Sequence, residues 1–241
     1  MLALDLRGPK LVERARHLID LIYDQVAAIK INRHLSIPLS LKELAGLVSY
    51  THDRGLPAIM DCKVNDVAST SKVMAELFFD AGFDAITACP FTGFDGGLDE
   101  VFSLARERGR DVILIAYMSH PGASCWYGGL FIDLETLCLT NPFEVFARQA
   151  ISWGACGIVV GATRPWVIER VARIVKGRAL IFSPGLGPQG GLLEESLRAG
   201  CDYFIVGRMI VESSDPRETA INLNRQVEEA VVRAHGLLPK A

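Results

Sequence analysis

Short apolar runs recur along the chain, separated by segments of mixed polarity. The runs are about four to eight residues long and rich in β-branched residues, which is typical of strands buried on both faces. The sequence therefore predicts eight strands, at Leu2–Leu6, Val26–Ile31, Pro57–Cys62, Ala85–Ala88, Val112–Met118, Cys156–Val160, Ala179–Phe182 and Tyr203–Val206.

Helical patterns lie between these runs. Ser40 and Glu43 form a capping box, and Asn141-Pro142 and Asp215-Pro216 are typical helix starts. Two further helices are predicted over residues 165–176 and 191–199, each followed by glycine. Apolar stripes at helical spacing usually face the core. They comprise Leu11, Ala15, Leu18, Ile19 and Ile22; Leu44, Ala45 and Val48; Val73, Met74, Leu77, Phe78 and Ala81; Leu98, Val101, Phe102 and Ala105; and Phe143, Phe146, Ala147 and Ala150.

Strict alternation of strand and helix implies a parallel sheet. Eight such units in 241 residues fit a closed (β/α)₈ barrel better than an open doubly wound sheet, which usually has fewer strands. No G-x-G-x-x-G follows the first strand, so a dinucleotide-binding fold is disfavoured. Without a linker or low-complexity stretch, we expect residues 1–241 to form one domain.

Composition and charge exclude several classes of protein. Half of the residues are hydrophobic and 22% are charged, which excludes a disordered chain. The apolar runs are far shorter than the ~20 residues of a membrane span. The first residues lack a basic region followed by an apolar core, so a cytoplasmic location is expected. A net charge of −3 argues against nucleic-acid and anionic-membrane partners.

The six cysteines do not suggest a metal site. No C-x-x-C pair occurs, and spacings typical of zinc ligands are absent. Reduced thiols are therefore expected, although a disulfide between distant cysteines would be plausible in a hyperthermophile.

Charged residues stand at the ends of the first three predicted strands, where a barrel carries its active site. They are Asp5, Lys30, Asp61, Lys63 and Asp66. A buried ion pair that merely closes the barrel is one interpretation, but so many desolvated charges are costly without a functional role. In a strand, the side chains at 61 and 63 share one face, and the intervening cysteine points to the other.

Glycines follow the last two predicted strands. The segment from Pro184 to Gly191, together with Gly207-Arg208, either supplies turns or presents backbone N–H groups and a guanidinium to a phosphate. Their place in the barrel favours the phosphate. Ser119 is a candidate turn hydroxyl, His120 is expected to be structural, and Trp126 and Trp153 are expected to pack.

These motifs resemble one known family. Residues 61–70, Asp-Cys-Lys-Val-Asn-Asp-Val-Ala-Ser-Thr, resemble the D-x-K-x-x-D-[IV]-x-x-T motif of the orotidine 5′-phosphate decarboxylases. Asp5 and Lys30 fall where that family keeps an acid and a lysine. The resemblance continues through residues 119–123, 161–165, 184–191 and 206–208, and so covers nearly the whole chain.

The resemblance implies a carboxy-lyase that converts orotidine 5′-phosphate to UMP and CO₂ in de novo pyrimidine synthesis, as a homodimer without metal or cofactor. It implies catalytic roles for Lys63, Asp61, Asp66 and Lys30. Asp5 and Lys30 would contact the ribose, as would Asp66 and Thr70 of the partner subunit. It implies that Ser119 contacts the pyrimidine and that Pro184 lies beside the substrate. Gln189, Gly207 and Arg208 would bind the phosphate.

Two alternatives stay open at the level of sequence. Hexulose-6-phosphate synthases and keto-sugar-phosphate decarboxylases share the D-x-K-x-x-D core but stabilise an enediolate with Mg²⁺. A non-catalytic nucleotide-binding barrel is disfavoured, because both lysines and all three acids are present. The sequence departs from the decarboxylase pattern at Asn32, at Cys89-Pro90 and at Pro188. Of these, we expect Pro188 to affect closure of the loop after the seventh strand.

Overall fold

The computed structural model describes residues 1–134, 136–186 and 191–234. Eight parallel strands form one sheet, in which each strand pairs with the next of the eight along the chain. The backbone closes the ring, because Ala3 N–H donates to the Val206 carbonyl at 2.8 Å and Val206 N–H donates to the Met1 carbonyl at 3.0 Å. This confirms the predicted barrel. The strands are β1 (Leu2–Leu4), β2 (Ile29–Asn32), β3 (Ala58–Val64), β4 (Ala85–Ala88), β5 (Asp111–Tyr117), β8 (Gly157–Val160), β9 (Leu180–Pro184) and β10 (Tyr203–Ile205).

Helices surround the sheet in the predicted alternation. The capping box is present, since the Ser40 hydroxyl accepts from Glu43 N–H at 3.3 Å and the Glu43 carboxylate accepts from Ser40 N–H at 2.9 Å. The helices are α1 (Leu11–Ile22), α2 (Arg33–Ser36), α3 (Leu41–His52), α4 (Ala68–Asp80), α5 (Asp99–Glu107), α6 (Ala123–Trp126), α7 (Pro142–Trp153), α8 (Pro165–Val175), α9 (Gly191–Arg198), α10 (Arg208–Val211) and α11 (Pro216–Ala234). Among the described ranges, no helix is long and apolar enough to cross a bilayer.

The strand ends differ from the prediction at the positions that matter for chemistry. Strand β1 stops at Leu4, so Asp5 lies just beyond it. Strand β2 continues to Asn32, which places Lys30 inside the strand and corrects its expected place at the end. Strand β3 continues to Val64, which pairs with Ala88 of β4. The register shifts between Met60 and Val64, and in this interval Lys63 N–H donates to the Thr87 hydroxyl.

The stripe predicted for α4 is partly wrong. The helix buries Ser71, Ala75 and Phe79, whereas Val73 is 54% and Leu77 43% exposed. The two sets lie on opposite sides of the helix. The small side chains at 71 and 75 face inward, and the β-branched and leucine side chains face outward.

A second, two-stranded sheet was not predicted. Strands β6 (Phe131–Asp133) and β7 (Cys138–Thr140) form an antiparallel hairpin between α6 and α7. The residue pairs are Phe131 with Thr140, Ile132 with Leu139, and Asp133 with Cys138.

Candidate active site

Two lysines converge on one buried carboxylate at the mouth of the barrel. The Lys30 ammonium donates to Asp61 Oδ2, and the Lys63 ammonium donates to Asp61 Oδ1 at 2.6 Å. Lys30 and Asp61 are buried, whereas the Lys63 side chain is one-third exposed. The geometry thus brings together three of the predicted catalytic residues and leaves the Lys63 ammonium within reach of a ligand.

The local backbone explains why these side chains meet. Lys63 has a φ of +50°, a left-handed conformation that is strained for a residue with a side chain. Thr87 on β4 supports this turn, because its hydroxyl accepts from Lys63 N–H at 2.9 Å and donates to Asp61 Oδ1 at 3.0 Å. Sequence reasoning missed Thr87; its signal is a lone hydroxyl within the apolar run Ala85–Ala88.

The lysines determine the charge of Asp61. Burial alone would raise the pKa of this carboxyl, but the charges of Lys30 and Lys63 and their hydrogen bonds outweigh it and lower the pKa to about 2. Asp61 is therefore ionised at neutral pH. On the other face of the strand, burial raises the pKa of the Cys62 thiol to about 12, so this cysteine is an inert packing residue.

Asp5 is held from two sides. The Asn32 side-chain amide donates to Asp5 Oδ1, while Asn32 Oδ1 accepts from His34 N–H at 3.0 Å. Gly207 leaves room for the carboxylate, because a Cβ there would overlap Asp5 Oδ2. Asn32, a departure from the family pattern, thus takes part in the site by orienting a predicted ligand contact.

The charged residues line neighbouring cavities that share walls. Lys30 borders three of them, and Asp5 and Arg208 border two. One of the three cavities borders Lys30 and lies above apolar side chains of the barrel interior. Its other polar and proline residues are Asp61, Lys63, Thr87, Ser119, His120 and Pro184. A neighbouring cavity, which also borders Lys30 and Asp5, is lined by Ser119, Pro184, Gly185, Gly207 and Arg208. The mouth therefore has one end at the lysine–aspartate cluster and another at Arg208.

Ser119 follows β5 and lies between two glycines. A Cβ at Gly161 would approach Ser119 Cα to 2.7 Å, and a Cβ at Gly185 would approach Ser119 Cβ to 3.3 Å. Gly185 also has a φ of +99°, which favours glycine. These close approaches hold the serine at the wall between the two ends of the mouth.

Two predicted site residues lie away from this cluster within the chain. Asp66 is exposed and its carboxylate accepts from Val67 N–H at 2.8 Å, and it does not border the cavities described above. Thr70 lies on α4, in a shallow groove with Ser69, Val73, Met74 and Leu77. Gln189 and Pro188 lie outside the described residues.

The two tryptophans that were expected to pack, Trp126 and Trp153, differ in the structure. Trp153 packs against Phe94 and Phe102, with ring centroids 5.1 and 5.9 Å away, as expected. Trp126 is 73% exposed, which contradicts its expected packing role. It is the last residue of the short helix α6, and the next residue, Tyr127, is buried instead.

No cluster of three or more histidine, cysteine, aspartate or glutamate side chains with the geometry of a metal site occurs in residues 1–134, 136–186 and 191–234. The groups at the mouth that could bind a ligand include the two lysines, Asp5, Ser119, His120 and Arg208. They suit an elongated anionic molecule with hydroxyl groups, since ammonium and guanidinium groups bind anions and carboxylates accept from hydroxyls.

Comparison with known proteins gives a consistent result. Residues 1–222 match the model of the orotidine 5′-phosphate decarboxylase / HUMPS family. An orotidine 5′-phosphate decarboxylase of Methanosarcina mazei is 33% identical over 219 residues, which cover 91% of this chain and 88% of that protein. The corresponding protein of Thermococcus kodakarensis is 34% identical, with 91% and 93% coverage.

Solved structures show the same likeness. An orotidine 5′-monophosphate decarboxylase of Methanocaldococcus jannaschii, in complex with the inhibitor BMP, has a TM-score of 0.78 and 27% identity, and the match covers 94% of this chain and 97% of that one. The decarboxylase of Leishmania donovani has a TM-score of 0.81 and 25% identity, with 95% and 92% coverage.

Proposed function

The chain belongs to the orotidine 5′-phosphate decarboxylase / HUMPS family, and from this premise we propose that it converts orotidine 5′-phosphate to UMP and CO₂, a step of pyrimidine biosynthesis. The observation that carries the proposal is the convergence of Lys30 and Lys63 on Asp61 at the mouth of the barrel. The named relatives favour the decarboxylase over a sugar-phosphate enzyme of the same family.

The reaction poses an electrostatic problem. When the bond between C6 and the carboxylate breaks, CO₂ leaves and the electron pair stays on C6, in an orbital that the ring does not delocalise well. We propose that no metal or cofactor takes up this charge. Fixed charges of the protein must then stabilise it, and they act most strongly where water is excluded.

The cluster supplies charges of both signs. The Lys63 ammonium stabilises the developing negative charge at C6 and then transfers a proton to it, so that UMP is formed and the amine is reprotonated from water. The Asp61 carboxylate, ionised at neutral pH, lies near the substrate carboxylate and repels it, which favours its loss as neutral CO₂. Lys30 holds Asp61 in place.

The rest of the mouth binds the remainder of the substrate. Asp5 and Lys30 contact the ribose hydroxyls, and Ser119 and Pro184 lie beside the pyrimidine. Gly207, Arg208 and Gln189 hold the phosphate. Binding energy from this remote phosphate contributes to the rate when it is realised in the transition state.

The proposed enzyme is a homodimer in which Asp66 and Thr70 of the partner subunit complete each site. Two features support this arrangement. Asp66 does not border the three described cavities at the mouth of its own barrel, although its motif places it three residues after Lys63. In addition, Val73 and Leu77 expose apolar side chains beside Thr70, and apolar surface of this kind marks protein interfaces.

The proposed activity can be tested with purified protein. After prolonged treatment with EDTA, the protein should still decrease the absorbance of orotidine 5′-phosphate and produce UMP. The Lys63→Ala variant is the matched control and should lose this activity. Activity that disappears with EDTA and returns with Mg²⁺ would instead support a metal-dependent sugar-phosphate enzyme.

A further inference from the structure

The β6–β7 hairpin, residues 130–134 and 136–140, exposes a cluster of apolar side chains, with Ile132 and Leu139 on the face opposite Asp133 and Thr140. Leu130, Ile132, Leu134, Leu137 and Leu139 are each between 58% and 85% exposed. Isolated exposed leucines are common on protein surfaces, but a contiguous apolar patch is not, and it usually marks a binding surface. Ile132 and Leu139 are direct partners across the hairpin, so the exposed side chains are neighbours.

The hairpin is fixed to the barrel at its base. The Asp133 carboxylate is buried and accepts from the Arg148 guanidinium of α7 at 2.8 Å. The Thr140 hydroxyl donates to Glu144 at 2.9 Å, and the Asn141 amide donates to the Gly128 carbonyl at 2.9 Å. Polar contacts thus position the base, and the apolar side chains extend from it.

The chain has a second exposed apolar surface, on α4. This α4 face consists of Ser69, Thr70, Val73, Met74 and Leu77, which line a shallow groove. Stable interfaces bury about 800 Å² and roughly 20–30 residues on each partner. Five side chains cannot supply that area, so an interface that includes the α4 face needs further surface.

Charge favours a protein as the occupant of the hairpin surface. Residues 121–141 contain neither lysine nor arginine, and they contain Asp133 and Glu135. Membrane-surface segments usually combine apolar side chains with basic ones that bind anionic lipid. The hairpin lacks this second component.

We infer that the β6–β7 hairpin is a dimerisation arm that packs on the α4 face of the partner subunit. The inference rests on the proposed function, in which Asp66 and Thr70 of the partner subunit reach this subunit's site. The partner's α4 then begins at the rim of this barrel. The hairpin rises from the same rim, and Tyr127 at its base contacts Phe91, which follows β4, with ring centroids 5.1 Å apart.

Two-fold symmetry makes this pairing occur twice. If the hairpin of one subunit contacts α4 of its partner, the reciprocal contact follows. Both apolar surfaces would then be covered in one closed dimer, which explains why both are exposed in a single chain.

Cysteine crosslinking tests the contact directly. Cys138 on β7 and Cys125 are both exposed. In a Cys125→Ser, Cys138→Ser background, Leu139→Cys on the apolar face of the hairpin combined with Val73→Cys on the α4 face should give covalent dimers with a short bis-maleimide. Ile221→Cys, at a 38% exposed position of α11, is the matched control and should not. Omitting Leu139→Cys from this variant should abolish the dimers.

The outcomes that contradict the inference are distinct. Absence of crosslinking between Leu139→Cys and Val73→Cys would overturn it, and dimers that persist without Leu139→Cys would show that α4 contacts itself. Leu134→Ser combined with Leu139→Ser should raise the dimer dissociation constant roughly tenfold or more in sedimentation. An unchanged constant, or binding of the parent protein to phosphatidylglycerol vesicles that this double variant loses, would also overturn it.

Failure of this inference differs from failure of the proposed function. A dimeric protein that decarboxylates orotidine 5′-phosphate without the crosslink would disprove only the arm. A crosslinked dimer without decarboxylase activity would disprove only the proposed reaction.

Discussion

At the scale of the residue, one carboxylate organises the site. Asp61 accepts hydrogen bonds from Lys30, Lys63 and Thr87, and it is ionised because two ammonium groups face it. An unpaired charge at this depth would be strongly destabilising. The positive φ of Lys63 adds strain that the surrounding contacts offset. Such a costly arrangement in a cavity is typical of a functional site.

Arg208 should act on the phosphate and not on the reacting ring. A bidentate guanidinium–phosphate contact contributes roughly 1.5–3 kcal/mol for each hydrogen bond. We therefore expect Arg208→Ala to lower kcat/KM for orotidine 5′-phosphate by roughly a hundredfold to ten-thousandfold. For orotidine, which lacks phosphate, the loss should be much smaller, as steady-state kinetics on both substrates would show. Arg225→Ala, an exposed arginine of α11, is the control, and equal losses on both substrates would contradict the assignment.

Asn32 should act through Asp5. Its amide donates to Asp5 Oδ1, so Asn32→Ala leaves that carboxylate free to turn away from the ribose. Loss of one hydrogen bond to a charged group corresponds to roughly a tenfold to hundredfold decrease in kcat/KM, mainly through KM. Ser36→Ala is the matched control, because Ser36 lies on the neighbouring helix α2 and does not border the three cavities at the mouth. A change of less than twofold in Asn32→Ala would show that Asp5 is positioned without it.

At the scale of the element, the strands were predictable because both of their faces are buried and their sequences are continuously apolar. The buried face of α4 and the presence of the β6–β7 hairpin could not be predicted in this way. An apolar stripe indicates burial but does not distinguish the core of one chain from a contact with another, so Val73 and Leu77 were assigned to the wrong side. In the hairpin, each strand has only three residues, and Phe131 and Cys138 interrupt the alternation of apolar and polar residues by which short strands are recognised.

The capping box of α3 should contribute measurably to stability. In Ser40→Ala, Glu43 N–H loses its acceptor, and the free energy of unfolding should fall by roughly 0.5–2 kcal/mol. Urea unfolding followed by circular dichroism measures this difference. Lys42→Ala, an exposed neighbour in the same turn, should change the free energy by less than about 0.5 kcal/mol. Equal effects of the two substitutions would show that the cap does not stabilise the helix.

At the scale of the whole molecule, the barrel places residues distant in sequence at one mouth. That rule predicted that Asp5, Lys30, Asp61, Lys63, Asp66 and Arg208 would lie there, and all of them except Asp66 border the cavities at the mouth. It could not predict Thr87 or Asn32, whose roles depend on side-chain hydrogen bonds and not on strand ends. Asp66 lies away from this mouth in its own chain, as expected if each site is shared between two subunits.

If the site is shared, two inactive variants should complement each other. Lys63→Ala and Asp66→Ala homodimers each lack one group in every site, so both should be nearly inactive. In a mixed dimer, two-fold symmetry collects both lesions in one site and leaves the other intact. When equal amounts are unfolded and refolded together, half of the dimers are mixed, and about a quarter of all sites should be functional. Decarboxylation of orotidine 5′-phosphate measures the recovery, and each variant refolded alone is the control. If Asp66 served its own chain, every site would keep one lesion, and verified heterodimers would stay inactive.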